Sequence, residues 1–171
     1  ASGQPARMYQ CKIFGVFAGR FCQWEMENII IHTQQSRLRI EDRCANDHCC
    51  SFKQSEADLY CWGDASDGRI GIQGTGYGGP ERTNMGINIV DVVLAEKTTC
   101  VLDDRSDVHC RGSNEFGQYG RGDTTQGNEQ FEVTIPSADP GLTIDKLYAG
   151  TNHYCATDTN QNGLYCWGGI E

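Results

Sequence analysis

The sequence predicts an all-β chain of repeated, disulfide-clamped hairpins. Three observations predict it: ten cysteines in 171 residues, four cysteine spacings that are nearly equal, and 21 glycines beside a hydrophobic fraction of only 38%. Little apolar material and many turn formers disfavour long helices and favour short strands. A chain this long forms one domain, or several repeats of a larger architecture.

The hairpins follow in order. Cys11 and Cys22, Cys50 and Cys61, Cys100 and Cys110, and Cys155 and Cys166 stand 11, 11, 10 and 11 positions apart. Between Cys100 and Cys110 the chain reads VLDDRSDVH, and between Cys155 and Cys166 it reads ATDTNQNGLY. Each is a short strand, a polar turn and a second strand. Facing residues of a non-hydrogen-bonded antiparallel pair lie about 4.5 Å apart at Cα, within the window a disulfide needs. Cys44 and Cys49 form a fifth pair by elimination, and because Cys49 adjoins Cys50, exchange of their partners stays open. Closing a loop of this size contributes up to about 3 kcal/mol in the chain-entropy model.

Other columns recur around the pairs. YCWGDASDGRIG from Tyr60, HCRGSNEFGQYG from His109 and YCWGG from Tyr165 share a Cys-x-Gly step, and the first two share Gly68/Gly117 and Gly71/Gly120. Upstream, INIVDVVLAEKTTC, LTIDKLYAGTNHYC and LRIEDRCANDHCC place a β-branched strand and a polar turn before a cysteine. First cysteines lie 39, 50 and 55 residues apart, the period of propeller blades and solenoids. Glycines after each second cysteine permit positive φ and close approach between neighbouring units.

Residues 98–125, TTCVLDDRSDVHCRGSNEFGQYGRGDTT, resemble the regulator of chromosome condensation repeat, a seven-bladed β-propeller, in the cysteine-rich form found in extracellular proteins. Residues 149–168 match its first half, and the resemblance runs from Leu38 to Trp167. In the first 37 residues Trp24 sits one place late and IIIHTQQ replaces the glycine-rich segment. The resemblance implies a single repeat domain over 1–171 with approximate repeats 1–37, 38–86, 87–141 and 142–171. That is about three and a half blades in an open arc or partial ring, as a fragment of a longer chain, a small ring or subunits that complete each other. Unpaired blade edges are surfaces that proteins normally cover or pair.

Fourteen basic against 23 acidic residues give a formal charge of −9, which repels phosphate backbones and excludes nucleic acid as a natural partner. The longest apolar region, Ile87 to Ala95, is interrupted by Asn88 and Asp91, so no segment is expected to insert into a membrane. The Ala-Ser-Gly-Gln start resembles a chain after signal-peptide removal. Ten cysteines without zinc-type C-x-x-C pairs point to an oxidising, extracellular location. The chain has no N-x-S/T sequon.

Several residues carry chemistry on paper. Asp158, Asn160, Asn162 and Gly163 spell D-x-N-x-N-G, the opening of a calcium loop, yet Gly169 stands where the bidentate Glu belongs, and a plain hairpin turn needs the same residues. The expectation is no cofactor, with calcium the alternative. Arg121, Gly122 and Asp123 form an adhesion-type tripeptide, although the family repeat itself favours Gly-x-Gly-Asp there. Cys44, His48, Cys49 and Cys50 lack the two-residue gap of zinc sites, and His48 aligns with His153. Gly74, Gly76 and Gly79 match G-x-G-x-x-G, but Pro80 follows and no helix does. No G-x-S-x-G elbow appears, and Asp103, Asp104 and Asp107 read as a solvated hairpin turn. Trp24, Trp62 and Trp167 offer sugar-stacking faces, though two of them recur at one repeat position, as packing residues do.

No catalytic residue is therefore assigned, and the chain is expected not to be an enzyme. The reading is a secreted, disulfide-rich structural or protein–protein interaction module. It would be a subunit of an extracellular or cell-surface assembly, self-associating through open blade edges into an oligomer or filament. A carbohydrate-binding propeller is the alternative; the guanine-nucleotide-exchange and chromatin-binding roles that the family resemblance implies stand third.

Overall fold

Strand-forming, β-branched segments separated by Asn, Asp, Ser and Gly turns fold into antiparallel meanders. The structure, a computed structural model, describes residues 40–126, 132–135, 143–159 and 163–169. Cys11, Cys22 and Trp24 lie outside the described residues, as do Asn160 and Asn162. The first sheet holds β1 (Ile40–Cys44), β2 (His48–Lys53), β3 (Asp58–Asp64) and β4 (Tyr77–Asn84). The second holds β5 (Ile89–Leu94), β6 (Thr98–Asp103), β7 (Val108–Gly112) and β8 (Glu132–Ile135). The third holds β9 (Ile144–Ala149), β10 (His153–Asp158) and β11 (Leu164–Gly168). Among the described residues the only helical element is a single 3-10 turn, Ser66–Gly68.

Each sheet pairs its strands in sequence order, and β5 touches both β1 and β9, which brings the first strands together. The apolar core lies between sheets and not within any one of them. One cluster joins Cys50, Phe52, Leu59, Cys61 and Ile70 of the first sheet to Ile89, Val92 and Val101 of the second. The next joins Cys100, Leu102, Val108, Cys110 and Tyr119 of the second to Ile144, Leu147, Tyr154 and Ala156 of the third. Strands of the middle sheet are therefore covered on both faces. Accordingly β6, TTCVLD, is buried at all six positions.

The first strands of the second and third sheets bury residues three apart, Ile89 with Val92 and Ile144 with Leu147. Strict alternation would place such pairs on opposite faces. A β-bulge resolves this: the register shifts between Ile89 and Asp91 in β5, and opposite Thr157 and Asp158 in β9. One extra residue in the strand returns both side chains to the same face.

The Cys-x-Gly step has one geometric cause in all three sheets. Gly63, Gly112 and Gly168 sit at φ +113°, +111° and +100°. The following amide donates to the carbonyl of the first hairpin turn: Asp64 N to Asp47 O at 2.8 Å, Ser113 N to Lys97 O and Gly169 N to Asn152 O at 2.9 Å. A Cβ on these glycines would lie 2.3, 2.3 and 2.5 Å from those same carbonyl oxygens. Only glycine permits both the positive φ and the approach.

Candidate interaction face on the third blade

Disulfides join Cys50 to Cys61, Cys100 to Cys110 and Cys155 to Cys166 across facing strands, with Cα atoms 4.1, 4.2 and 4.1 Å apart. Cys44 bonds Cys49 across β1 and β2. Adjacent side chains on a strand point to opposite faces, so Cys49 reaches Cys44 while Cys50 joins Cys61 and packs in the first inter-sheet cluster. The Cys50–Cys61 and Cys100–Cys110 bridges are both fully buried.

Two junctions between sheets repeat one design. The loop after β3 wedges Ile70 into the first junction, and the loop after β7 wedges Tyr119 into the second. The next sheet closes over each loop with the residue between its second cysteine and glycine. Trp167 donates Nε1 to Gln118 O at 2.8 Å and lies against Gly120; Arg111 donates Nε to Arg69 O at 3.2 Å and lies against Gly71. Arg111 is completely buried, reaches Thr83 Oγ1 at 3.0 Å and Cys61 Sγ at 3.1 Å, and burial lowers its pKa to about 9. A second polar contact also recurs. Thr99 receives His48 at 2.9 Å and donates to Arg69 O, while at the matching position Tyr154 donates to Thr98 O at 2.7 Å and accepts from Ala95 N.

The third sheet repeats the outward face of the first two, and among the described residues nothing covers it. Strand β10 alternates between exposed or half-buried positions and buried ones, where β6 is buried throughout. Leu59 and Val108 are 0% exposed, and their counterpart Leu164 is 67% exposed. Tyr148, beside Cys155 in the register, is 48% exposed, and Cys166 and His153 are exposed where Cys61, Cys110 and His48 are buried. Among the described residues β11 pairs with β10 alone, so its other edge carries no ladder.

The other candidate residues fall in turns and loops. Arg121 and Asp123 pair with each other at 3.1 Å, Asp123 Oδ1 accepts from Thr125 N, and the Arg121 guanidinium lies 5.1 Å from the Tyr119 ring centre. The tripeptide thus closes its own loop. Asp158 lies at the end of β10. Asp103 is buried where a solvated carboxylate was expected: it accepts from the amides of Arg105 and Asp107 at 2.9 and 2.8 Å and from His109 Nε2 at 3.1 Å. A side chain that satisfies a hairpin's own amides has no need of water. Trp62 is buried and Trp167 is packed against the second junction, so neither presents a ring for stacking on a sugar.

Stacked four-stranded meanders whose cores lie between sheets are β-propeller blades, and the described chain is an open arc of them. Over 130 residues it is 25% identical to the E3 ubiquitin-protein ligase HERC2 of Homo sapiens and equally to that of Mus musculus. The match takes in 71% of this chain and 2% of the length of those relatives. No family model matches. Among solved structures, human WBSCR16 aligns with a TM-score of 0.62 at 15% identity over 77% of this chain and 34% of its own. Yeast RCC1 (Prp20), solved with Kap60, aligns with a TM-score of 0.63 at 19% identity over 80% and 31%. A second structure of Prp20p from Saccharomyces cerevisiae, a protein that binds Gsp1p and histones, gives 0.59 at 18% identity over 80% and 32%. The described blades share the propeller fold of these solved structures, with disulfides across their hairpins. The chain spans about a third of the solved propellers it resembles.

Proposed function

We propose that this chain is a non-enzymatic protein–protein interaction module, working in an oxidising extracellular setting as part of a larger assembly. The observation that carries the reading is the third blade, whose apolar face and outer strand edge are uncovered among the described residues. Buried disulfides in two successive blades support the oxidising setting, because such bridges do not persist in a reducing cytosol. Among the described residues no helix is long and apolar enough to cross a membrane. Self-association through strand addition at the open edge of β11 is the simplest form of assembly. The binding of Gsp1p and histones named for Prp20p is not carried over, since a likeness at 18% identity shows the fold alone.

The test is secretion of the full chain from an oxidising host, followed by thiol counting, sedimentation over a range of concentrations and cross-linking. Bridged cysteines and cross-links concentrated on β11 are expected. Predominantly free thiols, or a chain that stays monomeric and makes no cross-links, would overturn the reading.

A further inference from the structure

We infer that the turn end of the β6–β7 hairpin is a binding site for one divalent cation of the zinc class, held by Asp103, Asp107 and His109. The site goes beyond the interaction reading and does not depend on it. One carboxylate oxygen of each aspartate and one ring nitrogen of His109 all lie within 4.8 Å of one another. Atoms that each bind zinc at about 2.0–2.2 Å in a tetrahedron stand about 3.4 Å apart, so small side-chain rotations close the set. Asp103 Oδ1 accepts from the amides of Arg105 and Asp107 at 2.9 and 2.8 Å, which leaves Oδ2 turned towards His109 Nε2 at 3.1 Å. Metal sites orient their ligands in this way, by hydrogen bonds to the atoms that do not ligate.

Charge favours a cation at the same point. Asp103 is buried, and the half-buried Asp107 beside it has a carboxylate that makes no hydrogen bond or ion pair among the described residues. The Arg105 guanidinium is a loose neighbour, with Nε 3.5 Å from Asp103 Oδ2 on a side chain that is 65% exposed, and a cation displaces it at little cost. The sister blades show that the hairpin itself does not require this trio. At the positions of Asp103, Asp107 and His109 the first blade has Lys53, Asp58 and Tyr60, and the third has Asp158, Gly163 and Tyr165. The first blade closes its turn with a Lys53–Glu56 ion pair, and its Asp58 is engaged by Arg82 and Asn84. Only the second blade sets an imidazole against two carboxylates. That donor set selects the cation, because calcium and magnesium take oxygen ligands whereas zinc and its neighbours also accept imidazole. As a ligand His109 presents the Nε2 lone pair and carries its proton on Nδ1, and three protein ligands leave one position for solvent.

The test titrates the full chain, with its bridges formed and metal removed by a chelator, with Zn2+ in a calorimeter, and follows the histidine ring nitrogens by NMR. One equivalent should bind and shift His109 Nε2, while the rings of His32, His48 and His153 keep their resonances. Ca2+ should leave His109 unmoved. His109→Gln, which keeps a donor for Asp103, and Asp107→Asn should each weaken zinc binding by about tenfold or more. Arg105→Ala frees Asp103 Oδ2 and should tighten binding several-fold, a gain that misfolding does not mimic. Should either weakening variant lose its fold, the shift in the parent and the gain in Arg105→Ala decide by themselves. No binding up to millimolar Zn2+ overturns the inference, as does binding that shifts His153 or His32 in place of His109. Zinc affinity unchanged in folded His109→Gln and Asp107→Asn, or not increased in Arg105→Ala, overturns it as well.

Discussion

Arg111 donates its Nε to the main-chain carbonyl of Arg69 across the first junction, the same bond that the Trp167 indole makes to Gln118 across the second. A guanidinium thus does the work of an indole N–H, at the cost of burying a cation. Replacing Arg111 by Ala removes the bond and leaves a cavity beside Cys61, with an expected loss of about 2–4 kcal/mol. Arg111→Trp restores the donor and the ring, so it is expected to remain within about 1 kcal/mol of the parent. Urea unfolding of the two variants at neutral pH checks both values.

Acid should loosen the same junction through His48. Burial first, then the charges of Arg69 and Arg111, lower its pKa from 6.5 to about 3, against a smaller opposing pull from Asp64. Between these values the unfolded chain binds the proton and the folded chain does not. The contribution of His48 is therefore complete above pH 6.5 and is lost at about 1.4 kcal/mol per pH unit as the pH falls towards 3. His48→Gln has no ring to protonate and can still face Thr99. Unfolding midpoints measured at pH 7, 5 and 4 should fall less steeply for the variant than for the parent.

Gly112→Ala is expected to cost more than about 3 kcal/mol or prevent folding, because the new Cβ meets Lys97 O and the backbone stays at positive φ. Gly86→Ala is the control. Its φ is +65° and nothing lies within 4 Å of the added atom, so the cost should be about 1 kcal/mol. Circular dichroism melts of the pair separate steric collision from backbone strain alone.

Partial reduction of the native chain should follow exposure. Cys155–Cys166 opens well ahead of Cys50–Cys61 and Cys100–Cys110, both of whose sulfurs are sealed between blades. Removing the Cys100–Cys110 bridge with paired serines should cost about 3 kcal/mol. Timed trapping of thiols and denaturant titration measure the order and the loss.

Much of the architecture was legible because repetition amplifies weak signals. Nearly constant cysteine spacing marked the clamped hairpins, and the recurring Cys-x-Gly step marked the close approach now seen at Gly63, Gly112 and Gly168. The bulges were not legible. An isoleucine followed three places later by valine or leucine fits several local structures, and only pairing with the next strand selects one. Arg111 was missed for a different reason: arginine is ordinarily a surface residue, and its alignment with Trp62 and Trp167 was the one available sign. Asp103 read as solvated because a turn rich in aspartate usually is, and sequence alone does not show which carboxylate folds back onto its own amides. The uncovered face was hidden too, since Leu164 and Val108 look alike until their neighbours are in place.

Because the oily contacts belong to the joints between sheets, cohesion in this architecture scales with the number of joints and not with the number of sheets. An array of n such sheets has n − 1 joints, and a terminal member is always held on one side only. Lengthening the array by a single member adds a whole joint for one more segment's worth of lost chain freedom, so melting temperature should climb with length and level off, as in a short crystal growing from its end.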